Sequence, residues 1–121
     1  MKDQKRLLEA AEDDLDTARY LLRGEKYNAS ISRAYYSIFH AAKALLLEEN
    51  SKPKTHQGVS SELGKLFRDE LEPEVTRQYS ELQTWREEAD YATGKQFNEE
   101  KAEEAVDFAE EFIHKVKQLI E

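Results

Sequence analysis

The chain contains no cysteine, which excludes disulfides and thiolate metal sites and makes a reducing cytoplasm the expected compartment. Only two prolines and four glycines interrupt it. No segment alternates apolar with polar residues in the β-branched company that a strand needs. Long apolar runs are also missing: stretches such as Ala44–Leu47 are far too short to span a bilayer, so no membrane is expected. The opening, MKDQKRLLEAAEDD, is charged and lacks the apolar region of a signal peptide. Basic charge is in deficit, with 18 Lys and Arg against 26 Asp and Glu, for a net charge of −8. Such a chain repels phosphate on average. Any activity on RNA therefore needs a local basic patch or a few well-placed side chains, and DNA is not expected as a ligand. No Gly-rich loop is available to cradle a nucleotide phosphate.

What remains is helical. The 121 residues are expected to form one domain over 1–121, able to bury roughly two-thirds of the surface of its unfolded chain. Leu7, Leu8, Ala11, Leu15, Ala18, Leu21 and Leu22 recur at helical spacing and predict a helix from about Asp3 to Arg23, closed by a left-handed Gly24. A second helix, Tyr27 to Glu49, is apolar nearly all round and is expected at the centre of the bundle or in a dimer interface. Pro53 marks a loop, and Thr55 caps a short helix from His56 to Phe67. Pro73 opens a fourth helix whose apolar face is Val75, Tyr79, Leu82, Trp85, Ala89 and Ala92, and which Gly94 ends. Asn98 caps a fifth, with Ala102, Ala105, Val106, Ala109, Phe112, Ile113, Val116 and Ile120 inward. Short loops between long helices imply an all-α antiparallel bundle.

The central helix also carries chemistry. Arg33 and His40 are separated by six residues. At about 100° per residue a seven-residue step returns to nearly the same face. Tyr36 and Ser37 fall between them. Ala29 and Ser30 extend the face one way, Ala44 and Leu47 the other, and small neighbours would let a second helix approach. Histidine supplies an acid or base near neutral pH, and arginine holds and neutralises a phosphate. Together they suit RNA cleavage by the internal 2′-hydroxyl, which requires no metal and no cofactor. Tyr36 or Ser37 would bind the phosphate or orient His40. One chain offers one such histidine, and two copies across a two-fold axis offer a base and an acid. The plainer reading is a solvated Arg and His on a helix face.

Other residues have two readings as well. His56, at a helix start, would either assist phosphate binding or pack on the central helix. Arg86 and Asp90, four apart, form a local ion pair or border the Arg33–His40 cleft. Glu111 and His114 have the Glu-x-x-His spacing of a metal bundle, but the motif occurs once, and it reads as coincidence on a charged face.

The run SRAYYSIFHAAKALL, beginning at Ser32, resembles the signature helix of HEPN domains, in their small stand-alone archaeal and bacterial branch. Gly24 before Tyr27, the run Lys54-Thr55-His56-Gln57-Gly58-Val59, and Arg86 to Tyr91 strengthen the resemblance, which spans most of the chain. It implies an up-and-down four-helix bundle with an extra short helix, and a homodimer through the helix that carries Arg33 and His40. It further implies a metal-independent ribonuclease of toxin–antitoxin or defence type, leaving a 2′,3′-cyclic phosphate, with Arg33 and His40 catalytic. A minimal nucleotidyltransferase is the implied antitoxin partner. Two positions depart from the pattern. Ala34 follows the arginine where active members often have a polar residue. Ala42 stands where some members carry a modifiable tyrosine, so that mode of control does not transfer. The alternative implied by the family is a non-catalytic module that dimerises and binds a nucleotidyltransferase or a nucleotide.

Overall fold

The structure, a computed structural model, describes residues 2–91 and 94–121. Five helices follow in order: α1 (Lys2–Arg23), α2 (Tyr27–Leu46), α3 (His56–Leu66), α4 (Pro73–Ala89) and α5 (Glu99–Ile120). The four long helices run up and down as an antiparallel bundle, and α3 is the additional short one. A 3-10 turn, Leu47–Glu49, continues α2 and ends at Asn50.

The direction of each helix can be read from its cross-links. Along α1 and α2, Ser30 donates to the Ala18 carbonyl at 2.8 Å, while Gln4 reaches the Ala44 carbonyl at 3.1 Å. High numbers on one helix meet low numbers on the other, so the pair is antiparallel. Asn28 at the start of α2 meets Ala89 at the end of α4, and Tyr27 meets Glu99 at the start of α5. The central helix is α2, touched by all four others. Ile31, Ala34, Tyr35, Ile38, Ala41, Ala42, Leu45 and Leu46 are wholly buried. Its near-continuous apolar sequence is explained by this enclosure. A single stripe stays open, running through Ala29, Ser32, Arg33, Tyr36, Phe39, His40 and Lys43.

Thr55 and Asn98 cap α3 and α5 as expected, each accepting from a backbone N–H at 2.9 Å. Two predicted helix ends differ. At the end of α1 the left-handed residue is Glu25, φ 60°, and Gly24 has no positive φ. Lys26 N–H bonds Leu21 O at 2.9 Å and Glu25 N–H bonds Leu22 O at 3.1 Å. That pairing is a Schellman closure, and it places the left-handed position one residue beyond the glycine. Helix α4 stops at Ala89, short of Gly94. The Ala89 carbonyl accepts from the Asn28 amide at 3.3 Å, a substitute for a further helical bond. The expectation for Ala92 lies outside the described residues.

Candidate active site

Asp14 of α1 joins the two residues that the spacing singled out. Its Oδ1 accepts from Arg33 Nη1 at 3.1 Å and its Oδ2 from His40 Nδ1 at 2.8 Å. The antiparallel packing of α1 on α2 brings Asp14 level with the stretch between Arg33 and His40. The Asp14 side chain is 13% exposed, against 42% for Arg33 and 29% for His40. The carboxylate thus sits at the floor, with the arginine and the histidine at the rim. With Nδ1–H given to Asp14, the His40 Nε2 is left to act on a ligand, the arrangement that an acid or base needs.

Tyr36 stays on the open stripe, with the Arg33 guanidinium 5.4 Å from its ring centre. Ser37 does not. It is fully buried and donates to the Ala34 carbonyl at 2.7 Å, so a phosphate cannot reach it. Ser30, Ala44 and Leu47 are likewise buried, which corrects the broad small-residue face. Packing of α1 and the bend after α2 cover them, leaving Ala29 and Ser32 as the small residues outside.

His56 is held against α2. It stacks on Phe39, ring centres 4.3 Å apart, and its Nδ1 lies 2.6 Å from the Tyr35 hydroxyl. Burial, then the nearby Arg86 charge, holds His56 below its ordinary pKa. Burial also pushes the Tyr35 phenol up to about 12, partly offset by Arg86. Tyr35 is therefore the donor and His56 Nδ1 the acceptor, which leaves the proton of neutral His56 on Nε2. Phe39 is also 5.7 Å from the His40 ring, so both histidines pack against one aromatic side chain.

Arg86 makes the local contact that its spacing from Asp90 allowed. It faces Asp90 at 3.7 Å, a weak pair, and lies 4.9 Å from the Tyr35 ring and 5.8 Å from the Tyr36 ring. Arg33 and Arg86 thus flank Tyr36. Asp90 is exposed and remains at the edge. Glu111 and His114 line a different groove, between α1 and α5.

A model of the HEPN domain matches residues 4–119. The chain belongs to the HEPN family. Among its relatives in this family, the candidate toxin MJ0605 of Methanocaldococcus jannaschii is 40% identical over 94% of this chain and 86% of its own length. Candidate toxin MJ0142 of the same organism is 33% identical, over 98% of this chain and 82% of its own. The crystal structure of TT1696 from Thermus thermophilus shares the HEPN chain's fold, with a TM-score of 0.86 over 98% of this chain and 99% of that one, at 21% identity.

Asp14 escaped the sequence reading. Its signal was position: it lies seven residues from both Leu7 and Leu21, so a carboxylate interrupts the edge of the apolar stripe of α1. No helix among the described residues is long and apolar enough to cross a membrane.

Proposed function

We propose that this HEPN protein is a metal-independent endoribonuclease of toxin or defence type, acting in the cytoplasm as a homodimer. The observation that carries the reading is the Asp14 carboxylate holding Arg33 and His40 side by side on the open stripe of α2. In the reaction, one His40 removes the proton from a ribose 2′-hydroxyl. The O2′ attacks the adjacent phosphorus, the P–O5′ bond breaks, and the partner copy's histidine returns a proton to O5′. The products are a 2′,3′-cyclic phosphate and a 5′-hydroxyl. Arg33 neutralises the non-bridging oxygens as charge builds, and Tyr36 holds the Arg33 guanidinium from the side. Asp14 keeps His40 in one tautomer and one orientation. The toxin names of two relatives support the toxin type, and a minimal nucleotidyltransferase is the proposed antitoxin. Ala29 and Ser32 are the proposed point of close contact between copies, with Tyr36, Phe39, His40 and Lys43 left to line the cleft.

The test is cleavage of a mixed RNA by wild type and His40→Ala, with EDTA present, beside light scattering for mass. Cleavage by a wild-type dimer that His40→Ala abolishes is the expected result. Absence of cleavage by pure, partner-free protein, or equal cleavage by both, overturns the reading in favour of a non-catalytic module that binds a nucleotidyltransferase or a nucleotide.

A further inference from the structure

Charge is unevenly distributed among the grooves of this bundle. A groove along α4 and α5 is lined by Glu100, Glu103, Glu104, Asp107 and Glu111, with no basic residue among the described ones. The groove between α1 and α5 has four carboxylates against Arg19 and Lys117, with His114 beside them. A third groove, of about 430 Å³, lies where the end of α2 and its following loop meet the start of α1. Lys43, Lys52 and Lys54 line it, with Asp3 the one acidic residue among the described residues of its walls and Leu7 and Leu47 among its apolar ones. In a chain of net charge −8, three lysines to one carboxylate is a local reversal of sign.

This groove is continuous with the candidate active site. Lys43 belongs to both: it lines the groove, and its Nζ lies 5.4 Å from the Phe39 ring centre. Phe39 in turn touches the His40 ring at 5.7 Å and is partly exposed on the open stripe. From His40 to Lys43 is a single helical turn. Along the open stripe of α2 come Arg33, then Phe39 and His40 side by side, then Lys43, which opens onto the groove.

We propose that the lysine groove receives the backbone of an unpaired RNA strand on one side of the scissile phosphate, with Phe39 as the shelf on which the intervening base stacks. The inference rests on the nuclease reading for its choice of polyanion. Alternation of aromatic ring and basic groove is how single strands are held without sequence readout. A single strand is favoured over a duplex, because only an unstacked base can lie on a side-chain ring. The groove volume is that of a small-ligand site and suits one strand. His56 stiffens the shelf: stacked on Phe39 and tied to Tyr35, it fixes the ring before a base arrives.

The experiment uses the full chain carrying His40→Ala, so that RNA stays intact. A fluorescein-labelled, unstructured RNA of about ten nucleotides, and the duplex of the same sequence, are titrated by anisotropy between about 50 and 200 mM salt. Expected is tighter binding of the single strand. Adding Lys52→Gln and Lys54→Gln lowers the slope of log affinity against log salt by about 1.4, from about 0.7 per lost phosphate contact. Adding Phe39→Leu instead weakens the single strand at least about fivefold. An unchanged slope in the double lysine variant overturns the proposal, as does equal affinity for the duplex. So does a lysine variant that alters mass by light scattering and leaves RNA affinity intact, which makes the groove a contact between copies. Wild-type cleavage, measured in parallel, separates the two readings. Cleavage with an unchanged lysine slope leaves the nuclease standing without this groove. Lysine-dependent binding without wild-type cleavage leaves the groove standing without the nuclease.

Discussion

Asp14 and His40 lie on different helices, 26 residues apart in sequence, and share a 2.8 Å hydrogen bond. The same carboxylate takes Arg33 on its other oxygen. One acidic side chain thus fixes the relative placement of a candidate acid–base group and a candidate phosphate clamp. Asp14→Asn keeps the size but has only one oxygen for two donors. Its kcat for RNA cleavage is expected to fall about a hundredfold or more, with the circular-dichroism spectrum of the fold retained. A variant that cleaves at the wild-type rate removes Asp14 from the site.

His56 links pH to stability. Its pKa is held down in the folded chain, first by burial and then by Arg86, with Lys43 adding and Glu87 opposing. Below the ordinary value of about 6.5 the unfolded chain therefore binds more protons than the folded one. The stabilisation is complete above that pH and is lost as pH falls through the folded value. Protonation also removes the acceptor that Tyr35 uses. The urea midpoint of wild type is expected to drop more steeply than that of His56→Gln as pH falls from neutrality to about 5. Parallel curves would contradict this.

Glu25 closes α1 in a conformation that favours glycine, at φ 60°. Its side chain is exposed and has no hydrogen bond among the described residues. Glu25→Gly is expected to raise stability by about 1 kcal/mol, read as a higher urea midpoint at constant slope. A lower midpoint would show that the left-handed strain is absent.

Asn28 clamps the segment that joins α4 to α5. Its amide donates to Ala89 O at 3.3 Å and to Lys95 O at 2.9 Å, and its oxygen accepts from Phe97 N–H at 2.9 Å. Phe97 is buried against the core. Asn28→Ala is expected to destabilise by about 2 kcal/mol, since three partners lose their bonds, two of them partly buried. The Phe97 amide should exchange with deuterium faster than amides of α2. Unchanged exchange at Phe97 would refute the clamp.

Helix positions were legible because each long helix carries an apolar stripe at its own period, and Thr55, Pro73 and Asn98 mark helix starts by their side-chain chemistry. The end of α1 was misplaced by one residue because hydrogen-bond geometry, not glycine content, selects the left-handed position, and that geometry fell on Glu25. At the site, Arg33 and His40 could be paired from spacing because both lie on one helix. Asp14 could not be chosen among its neighbours Glu12, Asp13 and Asp16 until the register of α1 on α2 was known. Ser37 lies about 40° round the helix from Arg33, a small enough angle to look like the same face and large enough to be covered.

The order of helices also sets a timetable. Asp14, Arg33 and His40 all belong to the first helical hairpin, whereas α5, which packs along α2, is the last of the five helices to be synthesised. On a ribosome adding about 5–20 residues per second, the reactive side chains emerge several seconds before the helix that completes the shelter of α2. A nascent chain therefore carries all the groups of the site without the framework that holds them still. On the nuclease reading, α5 acts as a release catch, and a chain interrupted before it is expected to be inactive in the cell that makes it.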